Sequence, residues 1–324
     1  MRAVRLEEFG GPDVLVARDV DTPEPAPGEV LVRLSASGVN FVDIYHRTGR
    51  YQVPLPFVPG VEGVGVVTAV GAGVTEPAVG RRVGWVNRPG TYAENATVPA
   101  DEAIPLPDGM TDETAAAVLL QGITAQYLTH SCHAVRPGED ILVHAAAGGT
   151  GALITQVATA LGARVIGTVS TPEKENVARE AGAAEIIRYA EGVDDVPRRV
   201  RELTGGRGVA AVYDGVGAAT FEASLASLSR RGTLVYFGAA SGLVPPFELA
   251  RLGAGSHLVT RPTLGDFIAD RTELLARAAD VFGWVAAGRL RVAVSARFPL
   301  RDAAAAHRAL ESRRTTGKLL LVPD

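Results

Sequence analysis

The sequence has little cysteine: Cys132 is the one thiol in 324 residues. A single thiol cannot close an internal disulfide, and it excludes any metal site built from several thiolates. Because an isolated cysteine is usually inert, we interpret Cys132 as a packing residue. Neither cross-links nor a cysteine-rich metal centre is therefore expected.

The sequence also lacks long apolar runs and an excess of either charge sign. It contains no run of about 18 apolar residues, the length that a membrane-spanning helix needs. The first residues, MRAVRLEEFGG, carry charges where a signal peptide needs an apolar core. The 32 basic and 36 acidic residues give a net charge of -4, which provides no cationic field for nucleic acid or anionic lipid. We therefore expect a cytoplasmic protein whose partners are neither nucleic acids nor membranes.

What the sequence does contain is typical of a globular protein of two domains. Apolar residues make up 47% and charged residues 21% of the chain, and its length favours two cores over one. Segments 29–35, 63–70 and 81–86 are β-branched runs broken by Pro and Gly, a pattern typical of short strands in a β-rich, barrel-like module. The pattern changes to helical spacing over 112–130, after the candidate cap Thr111.

Strands and helices alternate from residue 139 onward, which predicts right-handed crossovers and a parallel sheet. We assign residues 121–261 to one doubly wound α/β domain. Two later strands, at 292–298 and 318–322, cannot form a stable domain alone and are expected to complete the first module. The predicted organisation is a discontinuous domain of residues 1–120 and 262–324, separated by a cleft from the domain inserted in it.

The segment 145–151, AAAGGTG, follows a predicted strand and opens a predicted helix, which is the context of a dinucleotide fingerprint. Small residues there permit a tight turn and a close approach to a pyrophosphate, whose charge the helix N-terminus stabilises. Ala146 stands in the place of the first glycine, so a close strand-to-helix turn without a ligand remains the alternative. The residues predicted to contact the cofactor are Ala147, Gly148, Gly149, Thr150 and Gly151.

A segment about twenty residues further on predicts which dinucleotide binds. An NAD site has an acid there for the ribose 2′-hydroxyl, but residues 167–170 contain none. Hydroxyls and a lysine charge accommodate a 2′-phosphate, which a carboxylate would repel. We therefore predict NADPH, contacted by Thr168, Ser170, Lys174 and Tyr189; a solvated helix position is the alternative for Lys174.

Several motifs occur along the chain in one order: GVNFVDIY at 38–45, GRY at 49–51, PGVEGVG at 59–65, the 145–151 turn, VYDGVG at 212–217, RRG at 230–232, TRP at 260–262 and Gly317-Lys318. Together they resemble the medium-chain dehydrogenase/reductase superfamily, and most of all its zinc-free quinone oxidoreductases, relatives of ζ-crystallin. The resemblance covers nearly the whole chain. It implies a Rossmann doubly wound domain inserted in a β-rich GroES-like barrel domain, and a homodimer.

The resemblance also indicates where zinc would bind. In zinc alcohol dehydrogenases a cysteine and a His-Glu pair hold the catalytic zinc at the places of Asn40 and Val61-Glu62. Asn is a poor zinc ligand and Val is none, and one cysteine cannot supply the four-cysteine structural lobe. His130 and His133 lack a third ligand nearby in sequence, so we interpret them as surface or capping residues. No metal is expected, which disfavours alcohol oxidation.

The resemblance implies a nicotinamide in the cleft near Asn40, with Tyr45 and Tyr51 on the acceptor side, and these are the candidate catalytic residues. Either tyrosine could donate a proton, stack on a flat substrate or simply pack in the barrel core. Further cofactor contacts are implied for Thr124, Phe237, Gly238, Arg261 and Lys318. Ion pairs that close the domains are the alternative for Arg261 and Lys318.

Three functions remain compatible with the sequence. The leading one is two-electron reduction of quinones by NADPH, in which the protein mainly orients a flat acceptor and excludes water. The second is reduction of an enone or enoyl thioester by the same fold. The third, also implied by the resemblance, is a structural or RNA-associated NADPH-binding protein, although the low basic charge argues against RNA.

Overall fold

The computed structural model describes residues 1–189, 192–312 and 314–324. The chain divides into two compact units, the first comprising 1–120, 268–286 and 292–324 and the second comprising 121–267 and 287–291.

The second unit extends beyond the predicted boundary at 261. Phe267 stacks on Tyr127 with the ring centroids 4.3 Å apart. Arg291 exchanges two hydrogen bonds with Gln156, of 2.8 and 3.0 Å. These contacts explain why 262–267 and 287–291 group with the second unit instead of the first.

The secondary structure of the described residues follows the predicted order. The strands are β1 (Arg2–Arg5), β2 (Val16–Asp19), β3 (Glu29–Val39), β4 (Glu62–Val70), β5 (Arg82–Val86), β6 (Asn95–Pro99), β7 (Ile104–Pro105), β8 (Asp140–Val143), β9 (Arg164–Val169), β10 (Glu185–Arg188), β11 (Val209–Asp214), β12 (Leu228–Tyr236), β13 (Leu258–Thr260), β14 (Val294–Pro299) and β15 (Lys318–Val322). The helices are α1 (Phe41–Arg47), α2 (Asp112–Tyr127), α3 (Gly149–Ala160), α4 (Pro172–Glu180), α5 (Val196–Leu203), α6 (Phe221–Ser227), α7 (Leu264–Phe267), α8 (Arg271–Ala286) and α9 (Ala303–Glu311). A turn of π-helix, Leu128–Cys132, follows α2 and accounts for the helix predicted to reach residue 130.

The first unit is built on a mixed sheet whose strand order is β14-β15-β3-β4-β5-β7, with β6 also paired to β3. The strand β15 pairs antiparallel with β3, Leu319 opposite Val39 and Leu321 opposite Ser37. The two late strands therefore complete the first module, as predicted. Alternate residues of β3, Val30, Val32 and Leu34, face a core that also contains Trp85.

The second unit has a parallel sheet with the order β10-β9-β8-β11-β12-β13. Its core takes apolar residues from five strands, among them Leu142, Ile166, Ile187, Val212 and Leu234. This is the predicted doubly wound domain. The strand order reverses between β8 and β11, and in such sheets ligands bind outside the carboxyl ends of the strands at the reversal.

Candidate functional site

The 145–151 turn lies at the carboxyl end of β8, beside the reversal of strand order. Ala145 has a positive φ of 50°, a conformation that L residues seldom adopt, and the Gly148 amide donates to its carbonyl over 2.8 Å. A Cβ on Gly151 would collide with the Ala145 carbonyl and approach the Cα of Ala146 to 3.2 Å. Glycine at 151 therefore permits the close contact of α3 with the end of β8.

The first turn of α3 offers backbone donors toward this edge. Helix α3 has 12 residues, and its N-cap, Gly148, has no side chain that could cap the first-turn amides. The first-turn amides, at Gly149, Thr150 and Gly151, have no acceptor within the helix. Together with the helix dipole they form an anion site of the size and charge that a pyrophosphate requires. The turn thus fits a dinucleotide.

Three of the residues predicted to read the 2′-phosphate lie together at the same edge of the sheet. Ser170 directly follows β9, Tyr189 directly follows β10, and the two strands are paired up to Val169 and Arg188. The Lys174 Nζ donates to Ser170 Oγ at 3.5 Å from the first turn of α4. The structure therefore brings the Ser170 hydroxyl and the Lys174 ammonium group together. Tyr189 follows the neighbouring strand, and its ring packs partly buried against the core of the second unit.

Thr168 has a different environment from these three. Its side chain is fully buried, and its Oγ1 lies 3.0 Å from His144 Nδ1 and accepts from the Ala145 amide at 3.3 Å. The Thr168 carbonyl also accepts from the Ala146 amide at 3.0 Å. Its hydrogen bonds thus hold the turn. Burial lowers the pKa of the adjacent His144 below its usual value, which favours a neutral ring there.

The remaining predicted contacts of the second unit are spread over α2 and the ends of β12 and β13. Phe237 and Gly238 follow β12, and the Arg261 guanidinium donates to the Phe237 carbonyl at 3.4 Å and lies 5.0 Å from the centre of the Tyr236 ring. Arg261 is exposed, whereas Thr124 in α2 is only 8% exposed. All but Thr124 therefore lie at the carboxyl edge of the parallel sheet.

In the first unit Asn40 belongs to a buried cluster with Glu62 and Lys318. The Lys318 ammonium lies 2.5 Å from Glu62 Oε2 and donates to Asn40 Oδ1 over 2.7 Å. The Asn40 Nδ2 donates to Glu62 Oε2 at 3.0 Å, and the Leu120 amide donates to Glu62 Oε1 at 2.7 Å. Both charged side chains have 0% exposure, so each charge is compensated by the other.

Two members of this cluster, Asn40 and Glu62, stand where the resemblance implies zinc ligands in the zinc enzymes. A Cβ at Gly38 would collide with the Glu62 carboxylate and come within 2.7 Å of Lys318 Cε. The ammonium of Lys318 thus supplies the positive charge between Glu62 and Asn40. Its ion pair with Glu62 joins two residues of the first unit, so this bond is not one that closes the domains, and the cofactor contact of Lys318 stays a prediction. Among the described residues no three His, Cys, Asp or Glu side chains are close enough to hold a metal ion.

The two candidate tyrosines contact each other. The Tyr45 and Tyr51 rings meet edge to face, with centroids 5.3 Å apart, and the Tyr51 amide donates to the Tyr45 carbonyl at 3.0 Å. Tyr45 is 8% exposed and Tyr51 is 37% exposed. The Arg50 guanidinium lies 4.7 Å from the centre of the Tyr45 ring. The pair therefore offers one accessible aromatic ring, that of Tyr51, held edge to face by the buried ring of Tyr45.

A second buried polar group begins at Asp43, and it was not predicted from the sequence. Asp43 Oδ2 accepts from the Asn40 amide at 2.8 Å and from the Tyr92 hydroxyl at 3.2 Å. Tyr92 also bonds His307 Nε2 at 3.0 Å, and His307 Nδ1 lies 3.2 Å from the Arg47 guanidinium. An acid at the third position of a helix that follows Asn is a capping pattern, so Asp43 could have been found from sequence.

Burial strongly perturbs the titratable members of this group. It raises the pKa of Asp43 to about 7, because desolvation outweighs the hydrogen bond from Asn40 and the charge of Lys318. It lowers the pKa of His307 to about 3, assisted by the positive charge of Arg47. The pKa of Tyr92 is raised well above 10 by burial and then by the charge of Asp43. At neutral pH, His307 is therefore neutral and Tyr92 is a phenol.

None of the described helices combines the length and apolar character needed to cross a bilayer.

Comparisons with known proteins agree with both halves of this architecture. Residues 26–108 match the model of the alcohol dehydrogenase GroES-like domain, and residues 149–280 match that of the zinc-binding dehydrogenases. The chain is 46% identical to a quinone oxidoreductase of Pseudomonas aeruginosa and 42% identical to a 2-haloacrylate reductase of a Burkholderia species, each over 99% of both chains. The structure superimposes on the NADPH complex of Escherichia coli quinone oxidoreductase with a TM-score of 0.96, 42% identity and full coverage of both chains.

These matches confirm the resemblance found in the sequence. They extend over nearly the full length of the chain, and they include the GroES-like and dinucleotide-binding parts in the expected order. The chain therefore belongs to the medium-chain dehydrogenase/reductase superfamily, among its quinone oxidoreductase-like members.

Proposed function

We propose that this protein catalyses the two-electron reduction of quinones with NADPH as the electron donor. The observation that carries the proposal is the carboxyl edge of the parallel sheet, where the donors of α3 and the Ser170 and Lys174 side chains lie. The quinone oxidoreductase of Escherichia coli, crystallised with NADPH, and that of Pseudomonas aeruginosa support the same chemistry. When bound, NADPH supplies the hydride.

The residues of the second unit bind and orient the cofactor in this proposal. The amides that open α3 hold the pyrophosphate, and Lys174 with Ser170 holds the 2′-phosphate through charge-assisted hydrogen bonds. The first turn of α4 contains two acids, Glu173 and Glu175. The Glu175 carboxylate is engaged by Arg179 at 2.8 Å and by Arg188 at 3.3 Å. Its charge is thus compensated where a 2′-phosphate would otherwise be repelled.

The residues of the first unit contact the acceptor. The accessible Tyr51 ring, supported edge to face by Tyr45, stacks on a flat ring system and excludes water from one face of that ring system. Asn40, locked by Glu62 and Lys318, presents a fixed amide whose Nδ2 is already engaged. We propose that no metal takes part, because the Lys318 ammonium already engages Asn40 Oδ1 and Glu62 Oε2, two of the side chains that stand at implied zinc-ligand positions.

A second candidate is reduction of an activated carbon–carbon double bond. It is favoured by the 42% identity with the Burkholderia 2-haloacrylate reductase and by the two phenols at the proposed acceptor site. Such a reaction needs a proton at the carbon next to the one that accepts hydride, and a tyrosine hydroxyl can donate it. A quinone instead gathers charge on oxygen, which water protonates rapidly.

The decisive experiment is steady-state oxidation of NADPH and of NADH with two panels of acceptors. One panel contains benzoquinones and naphthoquinones, and the other contains 2-chloroacrylate, simple enones and enoyl thioesters. We expect turnover with the quinones and a preference for NADPH. Turnover restricted to the second panel would establish the second candidate, and NADPH binding without any turnover would leave the structural role.

We further propose that the protein is a homodimer. In the second unit β13 is an edge strand that pairs with β12 among the described residues, and its Leu258 is 60% exposed. An exposed apolar edge strand of this kind is a template for pairing with another chain. Light scattering should give twice the chain mass, and Leu258→Lys should lower it; a monomeric wild type would refute the proposal.

A further inference from the structure

The buried group that begins at Asp43 has a role beyond stability. We propose that Asp43 is a positioning residue that fixes the backbone of Asn40, and that Tyr92, His307 and Arg47 hold the Asp43 carboxylate in place. The inference rests on the proposed function only in making Asn40 part of the reactive site. Its contacts all lie within the first unit.

The direction of each hydrogen bond in this group follows from which of its side chains can donate and which can accept. Arg47 can only donate, so His307 Nδ1 accepts and the ring proton is on Nε2. His307 Nε2 then donates to the Tyr92 oxygen, which leaves the Tyr92 hydroxyl to donate to Asp43 Oδ2. The tautomer of one histidine is therefore set by an arginine, and the hydroxyl of Tyr92 is aimed at Asp43.

The row of hydrogen bonds from Asp43 to Arg47 is anchored at its Arg47 end, but it does not conduct protons. Arg47 is 2% exposed and forms two bonds with Glu311, of 2.6 and 3.0 Å, as well as a bond of 3.1 Å to the Gly10 carbonyl. Glu311 is 34% exposed and reaches solvent. Because an arginine is not deprotonated in proteins, a proton cannot pass along this route. The chain transmits position and orientation only.

Asn40 is consequently held at three of its atoms. Lys318 holds Oδ1, Glu62 holds Nδ2, and Asp43 holds the backbone nitrogen. Asn40 is also the N-cap of α1, the helix that carries Tyr45. A displacement at Asp43 therefore moves both the amide of Asn40 and the start of the helix that presents the aromatic pair. Misplacement by about 1 Å can cost on the order of a hundredfold in rate.

The charge of Asp43 sets the strength of this hold. Oδ2 already accepts two hydrogen bonds, so a proton must go to Oδ1, which has no partner among the described residues. Protonation therefore keeps both bonds but turns each from a charge-assisted bond into a weaker neutral one. The charged or titratable groups that face Asp43 are Lys318, Glu62 and Tyr92, with His307 and Arg47 behind Tyr92.

The first test needs no catalysis. The amide proton of Asn40 should titrate with pH in the NMR spectrum of the full-length protein, because its acceptor is a carboxylate that changes charge. Asp43→Asn should abolish that titration. Tyr92→Phe should move it to higher pH, because it removes a bond that stabilises the carboxylate. Tyr213→Phe is the matched control: it removes a buried hydroxyl that donates to the His133 carbonyl at 3.2 Å in the other unit, and should change nothing at Asn40.

The second test asks whether the positioning of Asn40 by Asp43 affects turnover. In the wild type, kcat for a quinone should rise as Asp43 ionises. That step should disappear in Asp43→Asn and shift upward in Tyr92→Phe, while NADPH affinity changes less than kcat. Asp43→Ala should lower kcat by about tenfold to a hundredfold. Tyr213→Phe should keep the wild-type profile.

The outcomes are distinguishable. If the wild type reduces no acceptor, the proposed function fails, while the NMR titration still decides whether Asp43 holds Asn40. An Asn40 amide that does not titrate, or that titrates equally in Asp43→Asn, overturns the positioning role. A pH profile of kcat that is unchanged in Asp43→Asn overturns its effect on turnover.

Discussion

The opposed pKa shifts of Asp43 and His307 predict an unusual dependence of stability on pH. The pKa of Asp43 rises from 3.8 to about 7 on folding. Its contribution to the free energy of unfolding is therefore complete below pH 3.8 and is lost as pH rises toward 7. The pKa of His307 falls from 6.5 to about 3, so its contribution is complete above 6.5 and is lost as pH falls. Between about pH 4 and 6.5 the two slopes oppose each other and nearly cancel.

His307→Gln should remove the contribution of His307 to the pH dependence of the unfolding free energy, so that the contribution of Asp43 is no longer offset. One pKa unit corresponds to about 1.4 kcal/mol, so a shift of roughly three units makes the full effect of Asp43 about 4 kcal/mol. Over the overlapping interval, His307 offsets about 3 kcal/mol of this. Relative to wild type, the variant should therefore lose about 3 kcal/mol of unfolding free energy as pH rises from 4 to 6.5. Asp43→Asn should show the opposite sign.

Urea unfolding followed by tryptophan fluorescence is a suitable assay. The two tryptophans, Trp85 and Trp284, both belong to the first unit, which also contains Asp43 and His307. The variant and the wild type share all other carboxylates, whose contributions cancel in the difference between the two unfolding free energies. A His307→Gln difference that stays constant from about pH 4 to 6.5 would refute the reasoning for His307, and a constant Asp43→Asn difference would refute it for Asp43.

Three further predictions concern the proposed cofactor and acceptor sites. Lys174→Ala should weaken NADPH binding by about 1 to 2 kcal/mol, roughly five- to thirtyfold, and hardly affect NADH, and an equal loss for both in fluorescence titrations would contradict the 2′-phosphate contact. Gly151→Ala should abolish cofactor binding, because its Cβ collides with the Ala145 carbonyl; wild-type affinity would show that the turn adapts. Tyr45→Phe should keep most quinone turnover but lose about a hundredfold or more of any enone activity, with Tyr51→Phe as its companion; a comparable loss of quinone turnover would show that quinones also need the hydroxyl.

Much of the fold could be predicted because its signals are local. The alternation of strands and helices after residue 139 and the small residues of the 145–151 turn depend on neighbouring positions only. The return of β15 to the first module followed from a simple constraint, since two strands without partners cannot be stable. The boundary at 261 was less accessible, because it depends on the stacking of Phe267 on Tyr127.

The candidate site was predictable where a motif carries it and less so where contacts are distant. Ser170 and Lys174 follow from the position of the second strand of the doubly wound domain and Tyr189 from that of the next, and their cofactor contacts stay predictions. Thr168 lies in the same segment, but its side chain points into the protein and bonds His144, which periodicity alone does not reveal. The bond between Tyr92 and His307 joins residues 215 positions apart, and no pattern in a single sequence indicates such a pair.

The late position of β15 has a consequence for the order in which the protein is made. The second unit is complete once residue 291 has left the ribosome, whereas the first must wait for Lys318, 256 residues after its partner Glu62. Until then the emerging chain has an acid destined for the core without its counter-ion, and β3 without the neighbour that covers its end. The unit synthesised first therefore folds last, and during that interval its unpaired strand edge is the part of the nascent chain most exposed to aggregation and to chaperones.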